Sequence, residues 1–165
     1  MVLRLTPDHR QIIQDQAEST YPEECCGLLL GKLERGDAVV VKTIVEVWVA
    51  ENAWSAETAV PFDLANQQWS DRPLTKRTYY TIAPEMMLKA QKYGRDRGLE
   101  IIGIYHSHID HPAMPSEFDR VYAWPQYSYI IVSVENGKAV DLQNWSLDEA
   151  HHFQAEEMVA TVMPL

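Results

Sequence analysis

Residues 101–119 read IIGIYHSHIDHPAMPSEFD, and the order of apolar, histidine and capping residues in them governs everything upstream and downstream. The apolar run Ile101 to Tyr105 is a strand by composition and leads straight into His106 and His108. Residues two apart on a strand share a face, so the two imidazoles stand about 6–7 Å apart on one side. Ser116 caps a short helix that must end before Pro125, and Asp119 falls in its first turn, where a carboxylate reaches back toward the strand end. Two histidines and a carboxylate are a donor set for catalytic zinc, which takes three protein ligands and keeps a fourth position for water. A divalent ion so held lowers the pKa of bound water from about 15.7 to about 7. Iron, manganese and cobalt suit the same His₂Asp donors.

Hydrolysis at such an ion needs a general base outside the metal's own ligands. Glu24, in YPEECCGLLLG at residues 21–31, is the candidate. It stands at the start of an expected core strand, where a carboxylate beside Cys25, Cys26 and Leu28 is costly to bury without a partner. Glu23 is the weaker choice.

Outward from these two stretches, Thr6 and Pro7 start a helix over 7–20. Cys26 to Gly31 and Ala38 to Val49 form a hairpin around Arg35-Gly36-Asp37. Residues 50–76 are polar, carry Pro61 and Pro73 and show no sustained period, so they read as a long loop or insertion in which Phe62, Leu64 and Trp69 anchor at most a short turn. Tyr79 to Ala83 is an expected strand. Pro84 opens a helix with Met86, Met87, Ala90 and Tyr93 on one face, and Gly98 stops it. Strands at Tyr127 to Val134 and Ala139 to Trp145 flank Asn136-Gly137, a strong hairpin signal. A last helix is expected over about 148–161, with His151 and His152 facing solvent. The order predicts an α/β chain, a mixed β-sheet flanked by helices, with residues 1–165 as a single domain.

The formal net charge of −10 argues against nucleic acid or an anionic membrane as partner, because both draw affinity from Lys and Arg on phosphate. The N-terminus lacks the apolar core of a signal peptide and no apolar run spans a bilayer, so a cytoplasmic location is expected. Cys25 and Cys26 are the two cysteines and are adjacent, which places them poorly for pairing and fits a reducing compartment. They read as small core residues rather than nucleophiles.

The motif His106-Ser107-His108, seven residues, Ser116, two residues, Asp119 resembles that of the JAMM/MPN-type zinc metalloproteases, or JAB domains. YPEECCGLLLG resembles their first strand, with Glu24 at the position of the catalytic glutamate. The resemblance covers nearly the whole chain and implies a cytidine-deaminase-like α/β fold. It also implies a Zn²⁺ cofactor on His106, His108 and Asp119. Ser116 would bond the water or the oxyanion, besides capping its helix. The implied reaction is cleavage of a peptide or isopeptide bond after the C-terminal glycine of a ubiquitin-like or sulfur-carrier protein. One position departs from the pattern: Ile109 stands where proline is common, which removes a stiffening element from the loop.

His111 reads as a residue of the rim rather than a fourth ligand, and Met86-Met87 and Tyr79-Tyr80 read as core. A catalytically silent MPN scaffold that binds protein partners is the competing function, though such relatives generally lose ligands. A nucleobase deaminase fails because the chain contains no Cys-x-x-Cys. Residues 50–76, with Trp54, Phe62 and Trp69, are the expected variable surface near the site, beside a sheet edge to which an extended tail can add.

Overall fold

Residues 128–135, SYIIVSVE, are buried at every position but the last, the pattern of a strand covered on both faces. Around it the computed structural model, which describes residues 1–57 and 75–162, builds one eight-stranded mixed sheet. In chain order the elements are β1 (Val2–Leu5), α1 (Pro7–Thr20), β2 (Cys26–Arg35), β3 (Val40–Ala50), α2 (Pro84–Arg97), β4 (Glu100–Ile109), α3 (Glu117–Tyr122), β5 (Ser128–Glu135), β6 (Lys138–Leu147), β7 (Phe153–Ala155) and β8 (Glu157–Ala160). The sheet order is β7-β6-β5-β4-β2-β3-β1-β8. The two hairpins, β2–β3 and β5–β6, are antiparallel, while β4 runs parallel to β5 and β1 parallel to both β3 and β8.

Helix α1 lays Ile13 and Ala17 on one face of the sheet against Leu29, Ile102 and Tyr105. Helix α2 lays Ala90 and Met86 on the other, against Leu28, Leu30 and Ile101. The neighbours Ile101 and Ile102 therefore serve opposite layers. Leu29 pairs with Gly103 but Leu30 with Ile101, so Ile102 is an extra residue that resets the alternation. Beyond that bulge, Ile104 lies on the α2 side and Tyr105 on the α1 side. The even-numbered residues that follow, His106 and His108, thus face the α2–α3 layer.

β7 and β8 are the two edges of the sheet, yet Glu156 alone separates them in sequence. The sheet must curl until its edges nearly meet. This is where expectation and structure part: residues 153–155 and 157–160 are strands and not a helix. The local composition, with Glu, Ala, Gln and Met, favours helix only weakly, and open edges on β6 and β1 offer a full set of backbone partners instead. β1 was not anticipated either; four residues ahead of a helix cap carry too little pattern to read. Tyr79 to Ala83, expected as a strand, joins no ladder. Its backbone is taken by Asn52, which accepts from Thr81 N–H at 3.2 Å and donates to the Tyr79 carbonyl at 2.9 Å.

Residues 58–74, and with them Phe62, Leu64 and Trp69, lie outside the described residues. Trp54 is described and is not surface: it is buried and stacks on Tyr79 at 5.8 Å. Among the described residues no helix is long and apolar enough to cross a membrane.

Candidate metal centre

The histidines lie inside β4, which continues to Ile109, and are held from both sides, by β2 through Cys26 opposite His106 and by β5 through Ile131 and Ser133. Both rings are buried. Their Nε2 atoms approach each other to 3.1 Å. The Asp119 carboxylate completes the group, with Oδ1 at 3.2 Å from His106 Nε2 and Oδ2 at 3.3 Å from His108 Nε2. Donors at about 2.0–2.1 Å from a tetrahedral ion stand about 3.3 Å apart, and each of these approaches, with His106 facing Oδ1 and His108 facing Oδ2, has about that length.

Local chemistry explains each placement. Ser116 is the N-cap of α3: its hydroxyl accepts from Asp119 N–H at 3.1 Å, and its own N–H donates to Asp119 Oδ2 at 2.7 Å. This reciprocal pair is a capping box with aspartate as its second member, and it aims the carboxylate at the histidines. His108 Nδ1 donates to the Pro112 carbonyl at 2.7 Å. A carbonyl only accepts, so the proton sits on Nδ1 and the Nε2 lone pair faces the centre. His106 Nδ1 is buried and has no hydrogen-bond partner among the described residues. Its ring is covered by Tyr80, stacked at 4.4 Å with 19° between the planes.

Electrostatics agree with the geometry. Burial pulls the His106 pKa below its ordinary value against the attraction of Asp119. For Asp119 burial works against ionisation, but His106 and His108 together outweigh it and hold the carboxyl well below the usual carboxylate range. Two imidazole nitrogens and a carboxylate buried against one another need a cation or proton among them, and this donor set fits a divalent ion.

Glu24 is buried at the entrance to β2. Ser107, between the two histidines, holds it there: the Ser107 hydroxyl accepts from Cys25 N–H at 2.8 Å, and Ser107 N–H donates to the Cys25 carbonyl at 3.1 Å. Cys26 pairs with His106, so these bonds extend the register by one residue, to Cys25 beside Ser107, and Glu24 is the next residue in the chain. Its backbone is also tied to Lys76 and Asn52. Tyr80 senses both acids; burial pushes its pKa well above the usual value, and Asp119 and Glu24 add to that. Cys25, by contrast, has its thiol pushed up to about 12 by burial, which agrees with a core role.

The loop after Ile109 is pinned although position 109 carries no proline. Asp110 N–H donates to the Val134 carbonyl at 2.7 Å, Ser133 to the His111 carbonyl at 2.6 Å, and Trp145 Nε1 to the Ala113 carbonyl at 3.0 Å. His111 stands beside His108, ring centres 5.3 Å apart, outside the converging trio. His151 is not on a helix: it occupies the turn between β6 and β7, half-buried, with Nε2 2.9 Å from the Arg120 carbonyl of α3. His152 is exposed. The residues that sequence reasoning passed over, Asn52, Tyr80 and the serine inside the histidine pair, act through tertiary contacts. Ser107 alone left a trace, as the small polar residue between two ligands.

Residues 6–148 match the family described as prokaryotic homologs of the JAB domain. The chain belongs to that family. Its JAB fold is shared by a protein of Desulfitobacterium hafniense solved in solution, with a TM-score of 0.72 at 24% identity over 99% of this chain and 94% of that one. A Salinibacter ruber protein, also solved in solution, gives 0.63 at 30% identity over 98% and 92%. In sequence the JAB chain is similar to a desampylase of Pyrococcus furiosus, 32% identical over 82 residues, which is 48% of this chain and 55% of that protein. A desampylase of Haloferax volcanii is 32% identical over 74 residues, 44% and 52% of the two chains. The chain thus spans about half the length of the curated relatives it matches.

Proposed function

We propose that this JAB chain is a zinc-dependent hydrolase of amide bonds, acting at the C-terminal glycine tail of a ubiquitin-like or sulfur-carrier protein. In this reading residues 1–165 form one domain, with 50–76 as an insertion, and His106, His108 and Asp119 hold the metal. The observation that carries it is the convergence of the two Nε2 atoms and the Asp119 carboxylate at 3.1–3.3 Å, with Glu24 buried next to the Cys25–Ser107 bonds. Partial likeness to two desampylases supports the hydrolytic reading and the class of substrate.

When bound, zinc supplies a Lewis acid and an acidified water. Glu24 takes a proton from the attacking water onto a carboxylate oxygen and returns it to the amide nitrogen as the C–N bond breaks. The Ser116 hydroxyl already accepts from Asp119 N–H, so its own hydrogen is free to be donated to the scissile carbonyl oxygen as that oxygen gains charge. Loss of one such donor costs about 3–4 kcal/mol of transition-state stabilisation. A cavity of about 350 Å³ opens beside Asp119, walled by Tyr80, Ile104, Met87, Phe118 and Trp124, and offers the substrate room next to the ligands.

The test is to incubate the zinc-loaded protein with conjugates of ubiquitin-like and sulfur-carrier proteins and read the cleavage position by mass. Cleavage directly after the terminal glycine is expected, and failure on every glycine-tailed conjugate would sink the substrate assignment. Glu24→Gln should keep the metal and lower kcat by about 10²–10⁴-fold. His108→Ala should lose metal and turnover together. Full turnover in the glutamine variant would remove Glu24 as the base.

A further inference from the structure

Metal-bound histidines are ordinarily oriented by a hydrogen bond from the ring nitrogen that does not touch the ion. His108 follows that rule through Pro112, and His106 does not. What lies on His106 instead is the Tyr80 ring, nearly parallel at 4.4 Å. The opposite constraint comes from the strand, since His106 sits in the middle of three paired strands and cannot shift along its backbone. A ring so held keeps one freedom, rotation about its own side-chain bonds, and a stacked aromatic face is the contact that opposes it.

We infer that Tyr80 is the positioning residue for His106, its ring face doing for that ligand what the Pro112 carbonyl does for His108. The inference rests on the metal-site reading above. Tyr80 is itself anchored by the segment 76–81: Asn52 bonds the Tyr79 carbonyl at 2.9 Å and accepts from Thr81 N–H at 3.2 Å, so both neighbours in the chain are fixed. Asn52 also donates to the Glu24 carbonyl at 3.1 Å. One buried amide therefore couples the support of a metal ligand to the backbone of the candidate base. Because the stack needs the ring and not the hydroxyl, phenylalanine should serve and an aliphatic side chain should not.

The experiment measures Zn²⁺ affinity of the full chain by chelator competition, and the visible absorption of the Co²⁺ form, for the native protein, Tyr80→Phe and Tyr80→Leu. Tyr80→Met keeps a large flexible side chain and stands in should the leucine variant not fold, as judged by far-UV circular dichroism of the metal-free protein. Expected is an affinity within about twofold of native for Tyr80→Phe and a loss of about 10–100-fold for the aliphatic variants, with a broadened Co²⁺ band. Native-like affinity in the aliphatic variants overturns the inference and leaves the metal site standing. An equal loss in Tyr80→Phe also overturns it, by assigning the effect to the hydroxyl. A native protein that binds neither ion overturns both readings.

Discussion

Two clusters of buried polar groups occupy opposite faces and opposite ends of the curled sheet. On the α1 side, Lys42 of β3 is fully buried, donates to Ser128 at 2.9 Å and lies 3.7 Å from Glu156, whose other oxygen accepts from Asn144 at 2.8 Å. Burial pulls the Lys42 ammonium below its ordinary pKa, while Glu156 pulls the other way. The chain supplies both signs of charge here, so the charges answer each other, although Asn144 Oδ1 has no hydrogen-bond partner among the described residues. On the α2–α3 side, His106, His108 and Asp119 turn their ring nitrogens and carboxylate toward one another, a grouping able to hold a metal ion. The difference separates a structural use of buried polarity from a receptive one. Lys42 and Glu156 join β3 to the link between β7 and β8, where the two edges of the sheet meet, whereas the triad is the proposed seat of an ion.

The largest effect should come from breaking the charge-paired cluster. Lys42→Met leaves Glu156 buried without its counter-charge and should cost about 3–5 kcal/mol in urea unfolding, most of it regained when Glu156 is replaced by Leu as well. Zn²⁺ should raise the melting temperature of native protein and of Lys42→Met by similar increments, because binding acts only through the other cluster. A zinc response that disappears in Lys42→Met would mean the two clusters are one cooperative unit.

Ser107→Ala probes the receptive end. It leaves the Cys25 N–H buried without its partner and should cost about 1–3 kcal/mol. The ligands are untouched, so metal affinity should hold while kcat falls through the displaced Glu24; an unchanged kcat would show that Glu24 is positioned by other bonds.

The smallest effect concerns His9, a buried histidine. Its Nδ1 accepts from Thr6 N–H and its Nε2–H donates to the Val45 carbonyl, both at 3.2 Å. Burial holds its pKa below the ordinary 6.5. The folded chain thus binds this proton less tightly than the unfolded one, so the stability it contributes is present above about pH 6.5 and is lost as pH falls below that value. His9→Gln keeps a side chain suited to the third helical position and should flatten the fall in melting temperature between pH 6.5 and 5. A slope unchanged by the substitution would assign the acid sensitivity to other groups.

Legibility followed the range of the interactions. The hairpin at Asn136-Gly137, the helix stop at Gly98 in the left-handed region and the capping box of Ser116 and Asp119 are set within a few residues, and they could be read from the chain alone. Strands β1, β7 and β8 exist only because distant strands offer them open backbone groups, so their own residues carried little trace or pointed to helix. Trp54 reads as surface in the sequence because a polar neighbourhood hides a single inward aromatic.

The candidate site divides in the same way. Strand periodicity and a capped helix turn suffice to bring His106, His108 and Asp119 toward one point, because those rules act over neighbouring residues, and the amino-acid sequence by itself determined that much. The tertiary structure decided the rest: the bulge at Ile102 that selects which face the histidines occupy, the Ser107 bonds that hold Cys25, next to Glu24, across 82 residues, and the Tyr80 ring laid on His106. Each of these depends on which strands lie side by side, and side-chain alternation along one strand carries no record of its neighbours.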